Sequence, residues 1–170
     1  MTQAQRSADE TAGDRSLTDT GNHPFGRRHR PLYESRHWGV LLNRDQTYLG
    51  RSIVYVRNRT VDDPLDLTAE ERDELWDDVM PRLVGAIDEA FAPDRMNYTH
   101  LANRFHLVHW HVVPRYEIDP NREFAGHVFH DPRVGKNYTL SRRKRRVLRR
   151  SVPAQVVDAV ASRLSALMAD

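Results

Sequence analysis

From His106 onward the chain reads His106-Leu107-Val108-His109-Trp110-His111-Val112-Val113-Pro114-Arg115-Tyr116, and its middle alternates apolar and imidazole side chains one by one. A period of two belongs to a strand, whose successive side chains point to opposite faces. Val108, Trp110 and Val112 then share one face, and His109 and His111 share the other, about 6.5 to 7 Å apart along the chain. His106 projects with the Trp110 face and stays out of the pair. A sheet built around this strand needs apolar cover on one side and leaves two imidazoles on the other, so helices are expected on one face only.

The rest of the chain supplies both layers. Residues 1–30 are rich in Thr, Asp, Gly, Arg and Gln with almost no large apolar side chains, and they read as a disordered leader. From Trp38 an apolar run, a polar break at Asn43 to Thr47 and a second run from Tyr48 to Val56 predict two strands joined by a short turn. Asp62, Asp63 and Pro64 end that pair, and Thr68 followed by Glu71 forms a capping box that opens a helix. Leu75, Val79, Leu83, Ile87 and Phe91 lay an apolar stripe along it. Pro81 interrupts the stripe and predicts a kink or an earlier break. After Ala92, Pro93 and Asp94 come strand-like runs over Met96–Ala102 and Leu107–Tyr116. Glu117–Tyr138 shows neither period and reads as an ordered loop. Ser151 is expected to cap a last helix, with Pro153 in its first turn and Val156, Val157, Val160, Leu164 and Leu167 on one face. The expected fold class is α+β, with an antiparallel sheet of about five strands, one long helix and a C-terminal helix. A site-bearing domain spans 31–140, and 141–170 forms a basic segment and a helix packing on it.

Composition narrows the chemistry. At 170 residues the chain has the size of one domain with tails. It contains no cysteine, which excludes a disulfide framework, a thiolate zinc site and a cysteine nucleophile. Nine histidines are the obvious reactive groups. No apolar run is long enough to cross a bilayer and the N-terminus lacks a hydrophobic signal core, so a cytoplasmic protein is expected. The net charge of +2 hides an asymmetry: without Arg142, Arg143, Lys144, Arg145, Arg146, Arg149 and Arg150 it becomes −5. Such a run tracks phosphates or forms a solvated turn or helix start, and charge alone does not make this a nucleic-acid protein.

Three readings fit the paired histidines. They are structural or surface groups; or they ligate zinc, which needs a third protein ligand that only His100, His127 or His130 could bring from afar; or they divide nucleophilic and acid/base work near neutral pH.

The string His-Trp-His-Val-Val-Pro-Arg-Tyr closely resembles the signature of the histidine triad (HIT) superfamily of nucleotide hydrolases and transferases, His-φ-His-φ-His-φ-φ with φ apolar. The similarity runs from about Trp38 to Tyr116 and takes in Asn43 in the turn, the Tyr48–Arg51 lead into the second strand, the acidic helix and Asn97 in Met-Asn-Tyr. It implies a HIT-like fold and catalytic domain, a homodimer, and no metal or cofactor. By position, His109 falls on the histidine that attacks the α-phosphorus of a nucleotide to form a nucleotidyl-imidazole, and His111 on the one that contacts phosphate and helps the leaving group. Asn43, Asn97 and Asn103 fall near positions that contact ribose, phosphate or the catalytic histidine. Arg115 and Arg104 are candidates for polyphosphate. Two positions depart from the pattern: Leu107 stands at the first triad histidine, and Asn58 or Arg59 where an upstream histidine belongs. Arg59 or a backbone carbonyl is then expected to take over part of the orientation. The implied activity is hydrolysis or nucleotidyl transfer on adenosine-type substrates such as dinucleoside polyphosphates (diadenosine tetraphosphate) or nucleoside phosphoramidates. The alternatives are a nucleotide-binding regulatory protein without turnover and an RNA-associated protein using the basic run.

Overall fold

A computed structural model describes residues 25–169 apart from 27, 102 and 104. Five antiparallel strands form the main sheet: β1 (Arg30–Glu34), β2 (Trp38–Leu42), β3 (Ser52–Val56), β4 (Arg95–Thr99) and β5 (His109–Arg115), in the order β1-β2-β3-β5-β4. The histidine strand β5 is therefore interior, flanked by β3 and the edge strand β4. Its register sets Tyr55 opposite His109, Val54 opposite Trp110 and Ile53 opposite His111. Trp38, Val40, Val54, Trp110 and Val112 line one face. The rings of Trp38 and Trp76 lie 5.6 and 6.0 Å from that of Trp110, so this face meets the helical layer.

The helical layer is α1 (Ala69–Glu74), a single π-turn (Leu75–Val79), α2 (Met80–Phe91) and α4 (Ala154–Ala169), while α3 (Arg142–Ser151) brings Arg145 and Arg149 toward the His109 side of the sheet. Thr68 and Glu71 make the expected capping box. Leu75, Val79, Leu83, Ile87 and Phe91 are all buried. Pro81 does not kink the helix in mid-course. The chain instead widens just upstream, where Met80 N–H bonds the carbonyl of Leu75, five residues back. Pro81 then occupies the first turn of α2, where its missing donor matters least. Ala92 closes α2 in the left-handed region at φ 45°.

Several expectations need correction. The fourth strand ends at Thr99, short of Ala102, which lies outside the described residues. Glu117–Tyr138 is not all loop: β6 (Asn121–Phe124) and β7 (His127–His130) form a hairpin turning at Ala125 and Gly126, both with positive φ. Ser151 ends α3, its hydroxyl donating to the carbonyl of Leu148. The basic run is a helix of its own, capped by Ser141, whose hydroxyl accepts from the N–H of Lys144. On α4 the buried face is Val156, Val157, Val160, Leu164 and Met168, with Leu167 only partly covered. Residues 1–24 of the expected leader lie outside the described residues, whereas Phe25 packs on Tyr55 and Phe105 and Arg30 already opens β1. No helix among the described residues is long and apolar enough to cross a membrane.

Candidate functional site

The sheet face opposite α1, α2 and α4 carries a cavity of about 460 Å³, within the range typical of small-molecule sites. His109 and His111 both line it. Their ring centroids are 5.3 Å apart and the planes nearly perpendicular at 88°. The alternation of β5 puts them there: one face of the strand is spent on Val112 and Trp110, and the other is left for the imidazoles.

His109 is 3% exposed, and its Nδ1 lies 2.7 Å from the carbonyl oxygen of Leu107. A carbonyl only accepts, so Nδ1 carries the proton and the lone pair sits on Nε2, the atom free to attack. The residue at the first triad position thus orients His109 through its backbone, independent of its side chain. Burial lowers the His109 pKa, against the raising effect of the Leu107 carbonyl. His111 is pushed down to about 3, first by burial and then by the positive charge of Arg51. Its Nδ1 is buried with no hydrogen-bond partner among the described residues. At neutral pH both rings are uncharged, and His111 offers an N–H, not a cation.

The cavity lining has an aromatic and apolar part and a cationic part. Phe25, Leu101 and Phe105 make up the first; the Phe25 ring lies 5.1 Å from His109 and 5.4 Å from Phe105. Arg44, Arg51, Arg145 and Arg149 make up the second, with Asp45 as the acidic residue among the lining side chains. Arg51 is 12% exposed, pairs with Asp45 at 3.6 Å and lies under the Tyr138 ring at 5.5 Å. Its Nε has no partner among the described residues.

Of the other candidates from the sequence, Asn43 and Asn103 line the cavity. Asn43 is buried in the β2–β3 turn, its side-chain oxygen accepting from the N–H of Asp45 at 2.9 Å. Arg59, Asn97 and Arg115 are not among the lining residues. Arg59 chelates Glu71 at 2.7 and 2.8 Å, holding that carboxyl below the usual range and bracing the cap of α1, so it does not orient His109. Arg115 lies on the His109 face of β5 but is buried under the β6–β7 segment. Its guanidinium is consumed by Asp131 at 2.8 and 3.3 Å, Asn97 Oδ1 at 3.1 Å and the carbonyls of Arg133 and Lys136. Arg115 and Asn97 are thus joined to each other outside the cavity lining, away from His109 and His111. Arg104 lies outside the described residues.

The sequence reading missed Phe25, Phe105, His29 and the pocket role of Arg44, Arg145 and Arg149. A pair of cations four residues apart in the basic run was the one available signal, since such positions share a helix face. His100, weighed in the sequence only as a distant zinc ligand, does come close to the pair. Its Nδ1 is 2.8 Å from the carbonyl oxygen of His109, and its ring is 6.0 Å from the His109 ring, so it braces the back of β5 at the central histidine. Among the described residues, no group of three or more His, Asp or Glu side chains is placed to hold a metal ion.

No family model and no curated protein matches the sequence. Solved structures do. A histidine triad protein from Marinobacter aquaeolei VT8 is 25% identical, with a TM-score of 0.58 over 84% of this chain and 90% of that one. Histidine triad proteins from Sinorhizobium meliloti 1021, at 17% identity, and Bradyrhizobium japonicum, at 18%, each give a TM-score of 0.57. The first of these two is matched over 88% of this chain and 96% of that one, and the second over 81% and 88%. The chain has the fold of the histidine triad proteins: a five-stranded antiparallel sheet with a long helix and a C-terminal helix.

Proposed function

We propose that this protein is a nucleotide hydrolase or nucleotidyl transferase that cleaves at the α-phosphate of adenosine-type nucleotides through a nucleotidyl-His109 intermediate. The observation that carries the reading is the 2.7 Å contact between His109 Nδ1 and the Leu107 carbonyl: because a carbonyl only accepts, the proton belongs on Nδ1 and Nε2 is left as a neutral nucleophile in a cavity lined by aromatic rings and arginines. The aromatic rings suit a nucleoside, and the arginines suit phosphate oxygens.

In the first step Nε2 bonds to the α-phosphorus, and the bond from phosphorus to the leaving group breaks with its electron pair going to that group. The ring becomes cationic, and the Leu107 carbonyl, already accepting from Nδ1–H, stabilises it. The N–H of His111 and the arginines face the charge on the phosphate oxygens, where such donors act most strongly in a site shielded from water. In the second step water attacks phosphorus, the N–P bond breaks with its pair returning to Nε2, and the nucleoside monophosphate leaves as the water proton passes to solvent. Arrangement as a cytoplasmic homodimer belongs to the same proposal.

The test is mass spectrometry of protein quenched during turnover of diadenosine tetraphosphate and of adenosine 5′-phosphoramidate. A nucleotidyl adduct on His109 and release of mononucleotide are expected, with His109→Ala reducing turnover by about a thousandfold or more. Tight nucleotide binding by calorimetry with neither adduct nor product would replace this reading with a non-catalytic nucleotide-binding protein.

A further inference from the structure

Resting on that reading, we infer that α3 is a specificity element: Arg145 and Arg149, with Arg44 and Arg51, form a leaving-group subsite that selects nucleotides whose leaving group is itself a chain of phosphates.

The cavity holds aromatic, imidazole and cationic groups together. The Phe25 ring lies 5.4 Å from that of Phe105 and 5.1 Å from that of His109, His111 is 5.3 Å from His109, and Arg44, Arg51 and the α3 arginines line the same cavity. The field of Arg51 on His111, and those of Arg145 and Arg149 on Arg44, place these charges within electrostatic reach of one another. A nucleoside seated on the aromatic rings, with its α-phosphorus at His109, keeps the rest of the molecule in the cavity that the arginines line.

Charge is unbalanced there. Among the described residues lining the cavity are four arginines and one aspartate, a surplus of three positive charges. Asp45 is also occupied, accepting from the hydroxyl of Thr47 at 2.6 Å and from its N–H at 3.2 Å. Arg51 is nearly buried with a vacant Nε, and buried charge without full pairing is costly unless a ligand completes it. Arg44 has its pKa lowered by burial first and then by Arg149, Arg28 and Arg145, the signature of cations crowded together. The N-terminal turn of α3 carries Arg142, Arg143 and Lys144 at the positive end of the helix dipole, so local helix energetics do not account for this charge.

The chemistry of departure agrees. An amine leaving group must take a proton as the bond to phosphorus breaks, and His111, neutral in this environment, holds no excess proton to give. A polyphosphate leaves as an anion and needs positive charge, which the arginines supply.

The test uses the full chain in three forms: wild type, Arg145→Gln/Arg149→Gln, and a charge-matched control, Arg142→Gln/Arg146→Gln, whose residues do not line the cavity. Inorganic tripolyphosphate binding is measured by calorimetry, and kcat/KM for diadenosine tetraphosphate is divided by that for adenosine 5′-phosphoramidate. The pocket-facing pair is expected to weaken tripolyphosphate binding about tenfold or more and to lower the ratio by a similar factor, while the control pair changes either by less than about threefold. Equal losses in both variants, an unchanged ratio, or tighter binding of a single-stranded RNA with the loss spread over both pairs would overturn the subsite. Because tripolyphosphate binding is read without turnover, a chain that binds it through Arg145 and Arg149 but cleaves neither nucleotide rejects the nucleotidyl-transfer reading and leaves the subsite standing.

Discussion

Arg115 shows how far a side chain's role depends on what comes to meet it. Its sequence context, Val-Pro-Arg-Tyr after two histidines, suggested a hand for phosphate. In the fold it is 4% exposed and forms a buried ion pair with Asp131, whose carboxylate also accepts the N–H of Arg133 at 2.8 Å. Removing one member of such a pair strands the other charge. Arg115→Ala should therefore destabilise the protein by about 3–5 kcal/mol, measured by urea unfolding, and a loss under 1 kcal/mol would contradict the buried pair. His111 makes a pH prediction. Its pKa in the folded chain lies below the value near 6.5 of an unfolded histidine, so the unfolded chain binds the extra proton. The stability this confers is complete above about pH 6.5 and is lost as pH falls toward the folded value, at up to about 1.4 kcal/mol per pH unit for one proton. Urea unfolding at pH 7.5 and 4.5 should show a smaller acid loss for His111→Asn than for wild type; equal losses would mean that the ring is charged in the fold.

Among the elements, the long helix was legible in outline because amphipathic periodicity and a capping box are local signals. Its π-turn was not. A stripe at strict four-residue spacing drifts around an ideal helix, and the wide turn at Leu75–Val79 adds the residue that keeps Leu75 and Val79 on the buried face with Leu83 and Ile87. Leu83 is fully buried there, and Leu83→Ala is expected to cost about 2–5 kcal/mol, read as a lower urea midpoint; a negligible change would mean that the stripe does not face the core. The β6–β7 hairpin was unreadable for a related reason. Its strands have four residues each, too short for a period to register, and what ties this segment to β5 is the Arg115–Asp131 pair just after β7.

For the molecule as a whole, the C-terminal segment serves both layers. α4 packs on β1 and α2 through Val156, Val160, Leu164 and Met168, while α3, just before it, brings Arg145 and Arg149 to the cavity. A chain ending at Leu140 exposes the core beneath α4, and its loss of a cooperative thermal transition is expected; a truncated chain that still melts cooperatively would show that α4 is dispensable. Alternation alone settled that β5 has a chemical face with His109 and His111 together, and periodicity alone settled an α+β chain with helix on the other face, since both follow from backbone geometry acting over a few residues. Which distant groups meet those histidines was decided by tertiary structure. Phe25 and the α3 arginines arrive from opposite ends of the chain, Arg59 and Arg115 are drawn off by Glu71 and Asp131, and contacts between residues so far apart leave no local period to read.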